Sequence, residues 1–371
     1  MRTIMDARTA SDHFPGIGRY TYSLAREMVR RGTLEQLLLI VNPQSTNKRF
    51  DLAPLTETSG VRLVETSARS FTLREQLQLP GQLRELSPDV LHYPYTIMPL
   101  ATPRPYVLTV HDIIPLRFPQ YFSVGQRMLY RLFLKITLNS AACVICVSEV
   151  TRSELNSVLS VESDRLYVVH EGVSEEFQPC AADELARVRT RYGLPEDYLL
   201  YLGSNKPHKN LAALVDAYAR VHSAPVLVLA GTEDPRYPEA RCRVDSLNLE
   251  KRVRFVSSIM EKDLPALYGG ATAFLYPSIY EGFGLPPLEA MACGVPVVCS
   301  DIPSLRETTG DAALRFDPGN TDSIAASLER IVQDSKLRTV LKDRGFRHSA
   351  EYSWEKAAEK TVSIYRRVAN G

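Results

Sequence analysis

Short apolar runs alternate with helical stretches along the whole chain, and this alternation constrains the fold more than any other feature. The runs with strand character are 2–7, 36–41, 61–65, 89–93, 106–110, 143–147 and 165–169, then 198–203, 225–231, 253–256, 272–277 and 295–300. They are apolar throughout rather than alternating, which is typical of parallel strands covered on both faces. Helical stretches such as 18–30 and 123–138 lie between them. The pattern predicts an α/β protein with parallel sheets.

The chain has 371 residues, whereas single hydrophobic cores stop growing at roughly 250–300 residues. A polar, proline-containing segment near 174–195 separates two similar blocks of strands and helices. We therefore expect two doubly wound, Rossmann-like domains, 1–174 and 175–351, which face each other across a cleft. A helical tail, 352–371, follows them. Ligands of such sheets bind beyond the carboxyl ends of the strands, so residues that follow strands are the main site candidates.

Charge and composition argue against several classes of protein. The 44 Lys and Arg nearly balance the 43 Asp and Glu, so there is no basic field for nucleic acid. The N-terminus has no signal-peptide core, and no stretch approaches the roughly 18 apolar residues of a spanning helix, so we expect a cytoplasmic protein. Cys143 and Cys146 form a CxxC pair inside an apolar run. We interpret them as buried small hydrophobes rather than as a zinc or redox site.

The segment YEGFGLPPLEAMACGVPVVCSD at 280–301 is the most informative one. It predicts a turn (Glu281, Gly282, Phe283, Gly284) beyond a buried strand and a helix that starts near Leu285 and stops at Gly294. The backbone N–H groups at such a helix start favour an anion, such as a phosphate, or the electronegative face of a sugar. Glu281 and Glu289 add two carboxylates to the same segment. The alternative is an ordinary loop with solvated acids.

Two further strand ends carry polar side chains. Lys206, His208 and Lys209 lie at another predicted helix start, where cations are normally disfavoured, so an anion is the expected partner. The alternative is a solvated basic loop. His111 and Asp112 end the strand 106–110, and we expect His111 to be functional and Asp112 to hold the His or its own loop.

A G-x-G motif, Gly16 and Gly18, lies between the strand 2–7 and a predicted helix. Glycines at this point let backbone approach a ligand closely, although a tight turn would need them as well. The third glycine of a dinucleotide fingerprint is absent, because position 21 is Thr, and this argues against NAD.

The helical segment 125–140 places Arg127, Arg131 and Lys135 on one face, with Met128, Leu132 and Phe133 beside them. Such a helix is suited to peripheral contact with an anionic membrane, at the inner face in a cytoplasmic protein. An ordinary surface helix is the alternative.

The spacing E-x7-E in EGFGLPPLEAMACGVPVV resembles the signature of the family 4 retaining glycosyltransferases, which have the GT-B fold. Other segments resemble the same family in the same order: PGIGRYTYSLAREM, TVHDIIPLRFP, HEGVSEEFQP and YLGSNKPHKNL. Together they look most like bacterial polysaccharide mannosyltransferases. The resemblance also implies that the last helix, within 352–371, crosses back to the first domain.

The resemblance implies roles for individual residues. The loop with Gly16 and Gly18 would lie near the donor diphosphate and the acceptor, and His111 would orient the sugar and stabilise positive charge at its anomeric carbon. Lys209 would bind the diphosphate, with Lys206 or a charged His208 as the second cation; Ser204 stands where some members carry Arg. Glu281 would bind sugar hydroxyls and Glu289 the ribose. The remaining donor-site candidates are Ser257 and Ile259 near the base, and Gly282, Phe283, Gly284 and Leu285.

We therefore expect a retaining transfer of a hexose from a nucleotide sugar to the hydroxyl of a glycan, lipid-linked or small-molecule acceptor. Mannose from GDP-mannose is the first choice of donor, and UDP-glucose-type donors follow. A front-face displacement is preferred, because no second carboxylate can be placed beside the anomeric carbon as nucleophile. No DxD pair is placed to hold a metal, so neither metal nor cofactor is expected. The alternatives are a sugar-nucleotide epimerase and a non-catalytic nucleotide-sugar-binding subunit.

Overall fold

The structure, a computed structural model, describes residues 1–70 and 72–370. The chain divides into two compact units. The first unit comprises residues 1–172 together with residues from 353 onward, and the second comprises Val173–Tyr352. Within the described residues, no helix is both long enough and apolar enough to cross a membrane.

The first unit contains a seven-stranded parallel sheet with the strand order β3-β2-β1-β4-β5-β6-β7. Its strands are β1 (Arg2–Asp6), β2 (Gln36–Val41), β3 (Val61–Glu65), β4 (Val90–Tyr93), β5 (Tyr106–Val110), β6 (Cys143–Cys146) and β7 (Leu166–Val168). Its helices are α1 (Pro15–Arg30), α2 (Leu73–Glu85), α3 (Ile114–Arg117), α4 (Val124–Ser140) and α5 (Glu149–Leu159). The strand order reverses between β1 and β4, which is where sheets of this kind bind ligands.

The second unit contains a six-stranded parallel sheet with the strand order β10-β9-β8-β11-β12-β13. Its strands are β8 (Tyr198–Leu202), β9 (Val226–Ala230), β10 (Val253–Val256), β11 (Ala273–Tyr276), β12 (Val297–Ser300) and β13 (Ala313–Phe316). Its helices are α6 (Ala182–Tyr192), α7 (Leu211–Arg220), α8 (Glu239–Ser246), α9 (Leu264–Gly269), α10 (Leu285–Ala292), α11 (Pro303–Thr309), α12 (Thr321–Gln333) and α13 (Ser335–Ser349). The order reverses between β8 and β11, so their carboxyl ends lie side by side.

The last helix, α14 (Trp354–Asn370), belongs to the first unit. The Tyr365 hydroxyl lies 2.5 Å from Nδ1 of His92 on β4. At the surface, Arg31 pairs with both Glu355 and Glu359 of α14. A buried contact therefore ties this helix to the first sheet, and an exposed one ties it to the end of α1.

The structure differs from the sequence-based expectations at three places. The whole segment 174–195, in which we expected the junction, belongs to the second unit and contains α6. Helix α1 starts at Pro15, because proline fits the first turn of a helix, so Gly16 and Gly18 lie inside its first turn rather than in a loop before it. The strand β13 was not predicted.

The cysteines of the CxxC pair are the first and last residues of β6. Cys143 and Cys146 are both buried and neither forms a disulfide. Burial raises the pKa of Cys146 to about 12, so this thiol stays protonated near neutral pH. The interpretation of these residues as buried small hydrophobes is confirmed.

Candidate active site

An ion pair lies at the carboxyl edge of the second sheet. Nζ of Lys209 is 2.6 Å from Oε1 of Glu281, and both side chains are largely buried. The Lys209 ammonium also donates to the hydroxyl of Tyr276, at 3.2 Å. Lys209 follows β8 and Glu281 follows β11, and these strands are neighbours in the sheet. The topology therefore brings the two charged residues of the predicted site together.

The Lys209 ammonium keeps Glu281 ionised. Burial by itself would raise the pKa of Glu281, but Lys209 and then His208 act in the opposite direction, and the pKa lies below its usual value. Burial, together with the nearby Lys209 charge, lowers the pKa of His208 to about 4. At this pKa His208 is neutral near pH 7, which favours Lys206, an exposed residue, as the second cation. The choice between the two residues stays a prediction.

The turn after Glu281 is held in shape by its neighbours. Gly284 precedes α10 with a φ of +104°, and a Cβ there would lie 2.6 Å from the Leu305 side chain, so this position requires glycine. The Thr308 hydroxyl donates to the Phe283 carbonyl at 2.6 Å, and the Phe283 ring packs against Tyr352. Pro286 and Pro287 have no N–H, so at the start of α10 only Gly284 and Leu285 present an N–H that lacks an acceptor within the helix. The turn that leads into α10 therefore has a fixed shape.

Glu289, the second carboxylate of the motif, lies in the interior of the second unit. Only 1% of its surface is exposed, and the Tyr268 hydroxyl donates to its Oε2 at 2.9 Å. Tyr268 in turn packs edge-on against Phe177 and Phe274. The carboxylate is therefore held in one position by a buried tyrosine that the sequence did not identify.

The basic loop is anchored through its backbone and through Asn205. The Tyr201 hydroxyl donates to the Ser204 carbonyl at 2.6 Å. The Asn205 side chain bonds to backbone groups of Asp234 and Tyr237. Asn205 therefore fixes the loop that carries Lys206 and Lys209. Its polar amide directly after a strand end was the signal that could have identified it.

The loop after β10, predicted to lie near the base, has mixed exposure. Ser257 is exposed, whereas Ile259 is buried, with Ser258 between them at a φ of +58°. The Met260 backbone N–H donates to the Tyr192 hydroxyl at 3.1 Å. Helix α6 therefore supports this loop, and of the two predicted residues only Ser257 offers its side chain to solvent.

In the first unit, both ring nitrogens of His111 face acceptors. Nε2 lies 3.1 Å from the Pro94 carbonyl oxygen, and Nδ1 lies 3.1 Å from Oε1 of Glu171. These two contacts fix the plane and the orientation of the His111 ring. The role of His111 at the anomeric carbon stays a prediction. Glu171, which lies beside the ring, was not identified from the sequence.

A buried polar network lies behind His111. The Tyr20 ring contacts the His111 ring edge-on, with 4.7 Å between centroids, and its hydroxyl lies 3.1 Å from Oγ1 of Thr109. Nε2 of His92 lies 2.8 Å from the same Thr109 oxygen, and Tyr365 reaches the other nitrogen of His92. Burial lowers the pKa of His92 to about 3, so its ring is neutral. The network couples α14 to the strand that presents His111.

Asp112 serves its own loop, which is one of its two expected roles. Its Oδ1 accepts a hydrogen bond from the backbone N–H of Ile114 at 2.9 Å. This contact shapes the turn between β5 and α3.

The two glycines of the G-x-G motif differ in their surroundings. A Cβ on Gly18 would lie 2.6 Å from the Phe50 ring and 3.0 Å from the Thr9 carbonyl oxygen. A Cβ on Gly16 would meet nothing within 4 Å. Gly18 is therefore required for packing, and only Gly16 leaves open space at the start of α1.

A buried ionic cluster that sequence reasoning missed follows β1. The Arg8 guanidinium lies 2.6 Å from a carboxylate oxygen of Asp6 and 2.6 Å from one of Glu75. It also donates to the Ala68 carbonyl at 3.1 Å. These contacts fix the chain between β1 and α1, and thereby the position of the glycine motif.

In the part of the chain that the structure describes, no group of three or more His, Cys, Asp or Glu side chains could hold a metal ion. The absence of a metal requirement stays a prediction.

Comparison with known proteins assigns the chain to a family. The model for "Glycosyltransferase Family 4" matches residues 15–177, and that for "Glycosyl transferases group 1" matches residues 185–348. O-antigen chain mannosyltransferase B of Escherichia coli is 32% identical over 369 residues, which cover 95% of this chain and 96% of the relative.

Solved structures of other proteins have the same fold as this chain. HepE of Anabaena, in complex with UDP and glucose, aligns with a TM-score of 0.79 at 17% identity and covers 99% of this chain and 100% of that one. Sucrose-phosphate synthase from Thermosynechococcus elongatus also aligns with a TM-score of 0.79, at 22% identity and 99% coverage of each chain. The resemblance seen in the sequence is confirmed: the chain belongs to the family 4 glycosyltransferases and has their GT-B fold.

Proposed function

We propose that this glycosyltransferase moves a hexose from a nucleotide sugar to an acceptor hydroxyl in polysaccharide synthesis, with retention of the anomeric configuration. Mannose from GDP-mannose is the proposed donor. The support for mannose is the E. coli relative, whose name is that of an O-antigen chain mannosyltransferase. The support for a nucleotide-sugar donor includes the fold relative HepE, whose structure holds UDP and glucose.

The ion pair between Lys209 and Glu281 is the observation that carries the proposal. An ionised carboxylate accepts hydrogen bonds from sugar hydroxyls, and Glu281 is kept ionised by the ammonium beside it. The same ammonium is a preformed positive charge for a departing diphosphate, which becomes more negative as the sugar–phosphate bond breaks. Within this one ion pair, Glu281 would bind the sugar of the donor and Lys209 would bind its diphosphate.

The pairing also bears on the reaction course. A two-step retaining route needs a carboxylate nucleophile at the anomeric carbon, and an ionised carboxylate that is held in an ion pair with Lys209 is a poor nucleophile. We therefore favour a front-face displacement. The bond between the anomeric carbon and the phosphate oxygen breaks, the acceptor oxygen bonds to the same face of that carbon, and the acceptor proton moves to the departing phosphate oxygen. The charge that develops on the phosphate would be met by Lys209 and the first turn of α10.

Residues of the first unit would position the substrates. His111 would orient the sugar by exchanging its hydrogen bond to the Pro94 carbonyl for one to a sugar hydroxyl. Glu171 would hold the ring in place during this exchange. Gly16 would allow backbone to approach the donor or the acceptor, because nothing occupies the space beside it within 4 Å.

In the second unit, Glu289 would bind the ribose, with Tyr268 fixing its carboxylate. Ser257 and the backbone at Ile259 would contact the base. Neither role involves a metal or a cofactor.

The test is a donor panel with the purified full chain. GDP-mannose, UDP-glucose and other nucleotide sugars are incubated with mannose-terminated oligosaccharides, free and lipid-linked, and products are identified by mass spectrometry. NMR of the new linkage then reports the anomeric configuration. We expect transfer from GDP-mannose with retention. Transfer from another nucleotide sugar only would overturn the choice of donor, and an inverted product would overturn the mechanism.

The same panel separates the alternatives. Donor incubated without acceptor would be converted to a rearranged nucleotide sugar by an epimerase. Donor binding without any product from any acceptor would indicate a binding subunit.

A further inference from the structure

The His111 ring has three neighbours that hold it. Its two nitrogens lie 3.1 Å from the Pro94 carbonyl oxygen and 3.1 Å from Oε1 of Glu171. The Tyr20 ring contacts it edge-on, with 4.7 Å between centroids. In the proposed function, a sugar hydroxyl replaces the Pro94 carbonyl. Of these three contacts, those with Glu171 and Tyr20 then remain to keep the ring in position.

The last helix, α14, packs directly against Tyr20. Tyr20 lies on α1, and α14 packs against this helix. The ring of Trp354, the first residue of α14, lies 5.7 Å from the Tyr20 ring, measured between centroids. Both side chains are buried. Tyr20 therefore contacts both the His111 ring and the start of the last helix.

A chain of buried hydrogen bonds connects Tyr20 to α14 a second time. The Tyr20 hydroxyl lies 3.1 Å from Oγ1 of Thr109, and Nε2 of His92 lies 2.8 Å from the same oxygen. Nδ1 of His92 lies 2.5 Å from the hydroxyl of Tyr365 on α14. We call these four residues the relay. All of them are buried, and a buried polar group that loses its partner is costly. Each member of the relay therefore depends on the next.

The start of α14 also supports the segment that carries Glu171. A Cβ on Gly172 would overlap the backbone of Ser353 and Trp354. The chain at Gly172 therefore lies directly against the backbone that leads into α14, and this close approach requires glycine. Glu171, which contacts Nδ1 of His111, is the residue before it. Both contacts that would remain on the His111 ring are thus supported by the same helix.

We propose that α14 positions His111 for the reaction, with Tyr20, His92 and Tyr365 as positioning residues. The helix would keep the ring in place while a sugar hydroxyl replaces the Pro94 carbonyl. Tyr365 would act from a distance, because three hydrogen bonds separate its hydroxyl from Tyr20. This inference rests on the role of His111 in the proposed function.

The experiment compares buried tyrosines that each lose one hydroxyl and keep the ring. Tyr20→Phe and Tyr365→Phe, singly and together, break the relay at its two ends. The matched control is Tyr106→Phe. Tyr106 lies on β5, the strand that also contains Thr109, and its buried hydroxyl donates to the Thr137 carbonyl at 2.8 Å, outside the relay.

Three quantities are measured for the full chain: kcat and KM for the donor, Tm, and the ¹⁵N NMR signals of the His111 ring. The variant His111→Asn identifies those signals among the seven histidines of the chain. Its activity also tests the role of His111 itself.

We expect each relay variant to lower kcat about ten-fold with little change in KM, because a small displacement of a positioning group slows the reacting step. The double variant should lose no more than the larger single one, since both substitutions act through one chain of contacts. The His111 signals should shift in Tyr365→Phe. The control should keep its kcat while its Tm falls by a similar amount.

A lower Tm with unchanged kcat in both relay variants would overturn the inference, because the network would then only stabilise the fold. Unchanged His111 signals in Tyr365→Phe would overturn it without reference to any substrate. An equal loss of kcat in the control would do the same. Full activity in His111→Asn would remove both the role of His111 and this inference, whereas an inactive His111→Asn beside fully active relay variants would remove the inference alone.

Discussion

Lys209 and Glu281 are 72 positions apart in the sequence and 2.6 Å apart in the structure, because each follows one of two neighbouring strands. Their roles are therefore coupled. A substitution of either residue leaves the other as a largely buried, unpaired charge. Mutations at the two positions are expected to be non-additive, since both belong to one interaction.

Lys209→Ala should lower kcat roughly 10²–10³-fold, as expected for loss of one preorganised charge that stabilises the departing group. The control is Lys206→Ala, which removes an exposed cation of the same loop and should cost much less. Steady-state kinetics with saturating donor measures both. Near wild-type turnover and donor affinity in Lys209→Ala would remove Lys209 from the diphosphate site.

The pH dependence of kcat/KM should also depend on the ion pair between Lys209 and Glu281. The pKa of Glu281 lies below its usual value in the wild type, so its stabilising contribution is present above the unfolded pKa, about 4.3, and is lost only as pH falls through the lower folded pKa. Lys209→Ala keeps the burial and removes the ammonium, so the pKa of Glu281 should rise. We expect the acid limb of kcat/KM to move to higher pH in this variant. An unchanged acid limb would mean that Glu281 is not required in its ionised form.

Substitutions of the two carboxylates should weaken the binding of different ligands. Glu289→Gln should weaken binding of both the nucleoside diphosphate and the nucleotide sugar, because the ribose is common to the two. Glu281→Gln should weaken the nucleotide sugar more, because only that ligand carries the hexose. Calorimetric titration with GDP and GDP-mannose measures this difference. The reverse order would mean that the two roles are exchanged.

Much of the fold could be predicted, because buried parallel strands are continuous apolar runs. The run 36–41, for example, is β2 without any difference in its bounds. The strand β13 was missed for a physical reason. It is an edge strand that pairs only with β12, and three of its four residues are partly exposed, so it has no continuous apolar signal.

The site was predictable where residues directly follow strands, and less so where partners are distant in the sequence. Lys209 and Glu281 could be identified one by one, but their contact depends on the order of β8 and β11 in the sheet. His111 was identified as well. Its ring is oriented by Glu171 and the Pro94 carbonyl, 60 and 17 positions away, and these contacts have no local sequence signal.

Substitutions of the two motif glycines should have different effects. Gly18→Ala should destabilise the protein by about 1–3 kcal/mol, because its Cβ would overlap the Phe50 ring. Gly16→Ala should leave stability nearly unchanged, because its Cβ meets nothing within 4 Å, but it should raise KM if backbone there approaches a substrate. Chemical denaturation and kinetics measure the two effects. Equal loss of stability in both variants would contradict this distinction, and unchanged kinetics in Gly16→Ala would remove Gly16 from the site.

Activity should persist without divalent metal. Glycosyltransferases that need a metal use it as a Lewis acid on the departing diphosphate, and here Lys209 and the start of α10 are available for that charge. Of the two motif carboxylates, Glu281 is engaged by Lys209 and Glu289 by Tyr268, so neither is placed to share a metal with the other. The test is turnover after exhaustive dialysis in excess EDTA, with magnesium or manganese added back. Activity that disappears in chelator and returns with metal would show that a ligand set other than these residues neutralises the diphosphate.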